Sequence, residues 1–187
     1  RLLNRRGCFP QFDKFIEQTK DVWTHLVDIR KSFEPRAEEL AKKYALAPYT
    51  MFIGSGALWG ETILFSMCIL EEMQWKRTRY ITSADFFHGT LELVEPGVPV
   101  FLFMGEDENR KLDERVRAFL TRGVTGDTDI NIIDTAEFAI PGLDDEFRVI
   151  VSPWILTVLV TDRLARYYET VTKHNLKYRR YYHQFDY

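Results

Sequence analysis

Two adjacent carboxylates, Glu71 and Glu72, close an apolar helix-like run, at the end where a helix dipole disfavours negative charge. Downstream, His88 precedes Gly89 and is flanked by Phe86, Phe87, Leu91 and Leu93, an apolar setting for a titratable ring. Carboxyl and imidazole groups can both be tuned toward neutral pKa, so one of these acids with His88 is a candidate acid/base pair for proton transfer. Neighbours on a helix diverge by about 100°, so Glu71 and Glu72 point differently, and Glu71 serves as the control for Glu72. Spacing alone favours the plainer reading, that His88 is a packed core histidine.

A second candidate is the glycine turn. Gly54, Ser55, Gly56 and Gly60 follow a short apolar run and precede a helical pattern. Free N–H groups at such a helix start favour an anion or a hydroxyl-rich ligand, and the Ser55 hydroxyl could add a contact to a sugar oxygen. A dinucleotide fits poorly, because the acid that should end the next strand is here Glu72, at the end of a helix, and Trp59 would crowd a pyrophosphate. A small-ligand pocket and a purely structural turn both remain open. Arg179 and Arg180 could grip a phosphate or carboxylate by their forked geometry, or belong to a solvated tail. Trp75 could line a pocket or fill the core. His25, His174 and His183 lie on charged segments and are expected at the surface.

The elements that must position these residues alternate in kind. Gln11–Ala47 has helical periodicity, with Pro35 breaking it ahead of a second helix over Arg36–Tyr44. Strands are predicted at Tyr49–Ile53, Arg79–Thr82, Pro99–Phe103, Asn131–Ile133 and Phe147–Val151. Helices are predicted at Ala57–Met73, Lys111–Thr121 and Trp154–Val171, the last starting with Pro153 as its first residue. Strands alternating with helices predict an α/β fold: a three-layer sandwich around a parallel sheet of about five strands, with N-terminal helices (1–47) and a domain over 48–187 that ends in a basic aromatic tail.

The chain has 187 residues, 45% hydrophobic and 28% charged, with a formal net charge of −3. That composition excludes wholesale disorder and gives no reason to expect nucleic acid as a partner. No apolar run is long enough to span a membrane, since Glu61 interrupts the longest. Cys8 and Cys68 suit neither a disulfide framework nor a metal site, so no metal is expected, and a reducing, cytoplasmic setting is. The chain opens at Arg1 rather than Met, which reads as a piece of something larger.

Several motifs together resemble the second sugar isomerase (SIS) domain of the fructosamine-6-phosphate deglycases. They are Ser55-Gly56-Ala57, Glu72-Met73-Gln74-Trp75, Asp85-Phe86-Phe87-His88-Gly89, Glu95-Pro96-Gly97-Val98-Pro99, Asp113-Glu114-Arg115 and the ending Arg179-Arg180-Tyr181…Tyr187. The pattern is most similar to the fructose-aspartate and glucoselysine 6-phosphate deglycases. The resemblance implies the SIS fold, with residues 1–47 as the linker from a preceding SIS domain that carries the phosphate loop. It implies a phosphorylated Amadori sugar as substrate, no cofactor, and a homodimer in which the histidine reaches the partner's site. It further implies catalytic roles for Glu72 and His88, with Gly54, Ser55, Gly56, Trp75, Arg179 and Arg180 binding substrate. An aldose–ketose isomerase on sugar or amino-sugar phosphates shares the same pair, and a non-catalytic sugar-phosphate sensor would not need it.

Overall fold

The structure, a computed structural model, describes residues 1–123 and 125–186. Four helices come first: α1 (Leu2–Arg5), α2 (Phe12–Thr19), α3 (Val22–Ser32) and α4 (Glu34–Tyr44). Pro35 sits in the first turn of α4, where its missing N–H costs no helical bond, and so separates α3 from α4 as expected. Strand β1 (Tyr49–Gly54) follows, then a tight turn and helix α5 (Trp59–Ile63), which continues as a π-helical segment over Leu64–Met73. Strands β2 (Arg77–Ile81), β3 (Val100–Met104) and β4 (Ile130–Asp134) complete the sheet, with α6 (Arg110–Leu120) between the last two.

All three pairings are parallel, in the order β2-β1-β3-β4. Alternation along β3 shows how the layers form. Phe101 and Phe103 face a core built with α3, α4 and the long C-terminal helix, whereas Val100, Leu102 and Met104 pack with Phe86, Val116 and Leu120 on the other face. The fold class is therefore the expected α/β sandwich, with four strands rather than about five.

The missing strand is Phe147–Val151, which is helical. Helix α7 (Asp145–Leu156) runs through a second π-helical segment, Thr157–Leu164, into α8 (Ala165–Thr172). Phe147, Val151 and Ile155 are buried at four-residue spacing, a helical stripe that outweighs the β-branched run, and Asp145 and Glu146 occupy the first turn, where the dipole favours acids. Pro153 is consequently inside the helix and not at its start. Its absent N–H would have served the Val149 carbonyl, and the Ser152 hydroxyl donates to that oxygen instead, at 3.3 Å. The two π segments pack against each other, and the buried Glu61 of α5 accepts hydrogen bonds from the Thr157 and Thr161 hydroxyls of the second. No helix among the described residues is long and apolar enough to cross a membrane.

Candidate active site

The first π segment ends at Glu71, Glu72 and Met73, on the edge of the sheet where the strands begin. Trp75 closes this helix with φ +54°, a left-handed conformation rarely tolerated by a large side chain. Its N–H bonds the Glu71 carbonyl at 3.1 Å, and that of Lys76 reaches back to Leu70 at 2.8 Å, wide spacing inherited from the π register. Strain of about 1–3 kcal/mol at such a residue persists only where the surroundings over-determine it. Here Trp75 packs edge-on to His174, with ring centroids 4.4 Å apart, and carries the Arg180 guanidinium 4.3 Å above its ring.

What over-determines the turn is Gln74, a residue singled out in the sequence only as part of a motif. It is buried, its amide N–H donates to the His174 carbonyl at 2.6 Å, and its amide oxygen accepts from the Thr172 hydroxyl at 2.7 Å. The helix end is thereby clamped to the end of α8. From there the tail turns back, with the Leu176 N–H bonded to Glu169 at 2.8 Å. Arg179 donates from Nη1 to the carbonyls of Leu176 and Tyr178, both at 2.8 Å, and its Nε meets Glu72 Oε1 at 2.8 Å. Glu72, Trp75, Arg179 and Arg180 therefore share one cavity, of about 730 Å³, with Glu71, Lys76 and Tyr181 also on its walls. Glu71 points differently, accepting a hydrogen bond from Thr78. His174 is half-buried between Trp75 and Tyr178 rather than on the surface, because the folded tail covers it. Tyr187, at the end of the matched tail, lies outside the described residues.

His88 is elsewhere. It is exposed on a short turn, Phe86–His88, that follows β2, whereas Glu72 precedes that strand. The five residues of β2 advance the chain by roughly 3.3 Å each, so the two groups lie at opposite ends of that strand within one chain. The His88 turn is nevertheless firmly anchored. Phe86 is fully buried, Phe87 lies under the Arg115 guanidinium at 4.1 Å, and the Ser83 N–H donates to the Ser55 hydroxyl at 2.7 Å. The Ser83 hydroxyl donates to Asp113 at 2.6 Å, and Asp113 also accepts from the Gly105 N–H at 3.3 Å. Burial pushes the Asp113 carboxyl up to about 6 against those hydrogen bonds.

Gly54, Ser55 and Gly56 join this second end and do not line the Glu72 cavity. A Cβ on Gly54 would lie 2.2 Å from the Thr62 hydroxyl, so that glycine lets α5 close onto the sheet. Gly56 has φ +54°, and a Cβ there would meet the Asp107 carboxylate at 2.1 Å. Asp107 accepts from the Ala57 N–H, so an internal carboxylate takes the place that the glycine turn was expected to offer an anion.

No protein-family profile matches the chain. It is 28% identical over 184 residues to the fructosamine deglycase FrlB of Bacillus subtilis, covering 97% of this chain and 53% of that protein. Over 170 residues it is 29% identical to the fructoselysine 6-phosphate deglycase of Escherichia coli, covering 89% and 46%. Among solved structures, a Salmonella typhimurium protein assigned as a phosphosugar isomerase superposes with a TM-score of 0.89 at 26% identity, covering 99% of this chain and 56% of that one. A Bacillus subtilis protein assigned likewise gives 0.86, also at 26% identity, covering 95% and 53%. The chain spans about half the length of the relatives it matches. It has the phosphosugar isomerase (SIS) fold and is a relative, one SIS unit in length, of the fructosamine and fructoselysine 6-phosphate deglycases.

Proposed function

We propose that this chain is the C-terminal SIS half of a cytoplasmic deglycase, which converts a fructosamine 6-phosphate and water to glucose 6-phosphate and a free amine or amino acid. Glu72 is the base at carbon. It takes a proton from C1 of the open-chain 1-amino-2-keto sugar while O2 gains one, giving an enaminol, and then delivers the proton to C2 as the C1–N double bond forms. Water adds to that imine, and the carbinolamine collapses to the aldehyde and the released amine. His88 is the acid that serves ring opening and the departing nitrogen. Each proton transfer of this kind is commonly worth about 10²–10⁴-fold in rate.

The observation that carries the reading is Glu72 on the wall of a cationic cavity, ion-paired at 2.8 Å to Arg179 of the tail, in a chain similar over nearly its whole length to deglycases. A carboxylate so held is oriented before substrate arrives, which lowers the cost of reaching a reactive geometry. The separation of Glu72 from His88 within one chain supports a homodimer, in which an exposed but rigidly anchored His88 enters the cavity of the partner. Asp107, which occupies the glycine turn from the loop after β3, supports a phosphate anchor on a preceding SIS domain, so the isolated chain should be inactive. The test is to incubate the whole protein with a glycated amino acid 6-phosphate and, separately, with fructose 6-phosphate. Release of free amine from the first, with no aldose from the second, is expected. Interconversion of fructose and glucose 6-phosphates without amine release would favour the isomerase reading.

A further inference from the structure

The cavity beside Glu72 carries more positive charge than Glu72 can use. Its walls hold Lys76, Arg77, Arg179 and Arg180 against Glu71 and Glu72. Arg179 is committed to Glu72, and Glu71 is engaged by the Thr78 hydroxyl. Among the described residues, Lys76 and Arg180 have no carboxylate within ion-pair distance. Lys76 is half-buried, and burial pulls its ammonium pKa down with no opposing charge to hold it up. Arg180 sits over Trp75 with its guanidinium carbon 4.3 Å from the ring centroid and is exposed, so its N–H groups are open to a forked contact. An unpaired ammonium and a free guanidinium edge on one cavity wall are complementary to an anionic group that arrives with the ligand.

Building on the deglycase reading, we propose that Lys76 and Arg180 form a subsite for the α-carboxylate of the amine portion, so that the preferred substrates are sugars glycated on the α-amino group of an amino acid. Position selects the carboxylate over the sugar phosphate. Lys76 lies just beyond the helix end that bears Glu72, and Arg180 follows the arginine that touches it. Both are therefore beside the group proposed to act at C1. An α-carboxylate is three bonds from C1, through the nitrogen and the α-carbon, whereas the phosphate is at the far end of the sugar. Glycation on a side-chain amine, as in ε-fructoselysine, would place the carboxylate several bonds beyond this subsite.

The test compares the whole protein on two substrates, fructosylglycine 6-phosphate and its methylamine counterpart, which lacks the carboxylate. Wild type should prefer the first in kcat/KM by tenfold or more. Lys76→Met and Arg180→Gln should each reduce that preference several-fold, mainly through KM. If both variants lower the two substrates equally, or if wild type shows no preference, the subsite is overturned, and equal loss would point to the phosphate instead. Should wild type turn over neither compound, the deglycase reading fails. The subsite is then judged by calorimetric titration of the same two compounds, where equal affinity overturns it and tighter binding of the carboxylate compound, weakened in the variants, upholds it.

Discussion

At the scale of single residues, Gln74 and Asp113 matter for different reasons. Gln74 satisfies a hydroxyl and a backbone carbonyl at a site from which water is excluded. Gln74→Ala strands the His174 carbonyl, while the Thr172 hydroxyl keeps its bond to the Tyr168 carbonyl, at an expected cost of about 2 kcal/mol. It also loosens the tail that sets Arg179 on Glu72, so activity of the whole protein should fall along with the urea midpoint. If activity were lost in Gln74→Ala but also fully retained in Arg179→Ala, the tail would not be the route of the effect. Asp113 titrates in a useful range, with a folded-state value of about 6 against an ordinary 3.8. The folded state holds that proton more tightly, so the stability Asp113 contributes is fully present below about pH 4 and is lost as pH rises through about 6. Asp113→Asn keeps an acceptor for Ser83 and removes the titration. The difference in unfolding free energy between variant and wild type should therefore grow in the variant's favour by about 2 kcal/mol from pH 4 to pH 7.5. An unchanged difference across that range would mean that the carboxyl is not held protonated by burial.

At the scale of elements, legibility in the sequence followed how local the decisive interaction was. Strands β1, β3 and β4 and the helix after the glycine turn were readable because each carries its own period and boundary residues. Helix α7 was misread because Phe147–Val151 is a short β-branched run, and its helical identity lies in the continuation to Ile155 and in the acids ahead of it. The glycines were correctly seen as obligatory but for another purpose. The partner of Gly56 is the Asp107 carboxylate, remote in sequence, and nothing at positions 54–60 announces it. Gly56→Ala accordingly forces both a left-handed φ on a side chain and a collision with Asp107, and should destabilise the chain by roughly 2 kcal/mol or more in denaturant unfolding. A change under about 0.5 kcal/mol would mean that the loop bearing Asp107 moves aside freely. The clamp from Gln74 to α8 was similarly beyond sequence reading, since it joins segments that only the folded α7–α8 helix brings together.

At the scale of the whole molecule, the acid and the imidazole are each anchored, but at opposite ends of strand β2. Residue types alone pointed to the pair, and only the topology shows that a single chain does not bring them together. A site that uses both groups would therefore take Glu72 from one chain and His88 from another. The most direct measurement mixes two inactive variants of the whole protein, Glu72→Gln and His88→Ala, after subunit exchange, and follows release of free amine from a glycated amino acid 6-phosphate. Each mixed dimer would hold one site with both native groups, so activity should return to about a quarter of the wild-type value. Two silent variants that stay silent after demonstrated exchange would contradict a site shared between protomers.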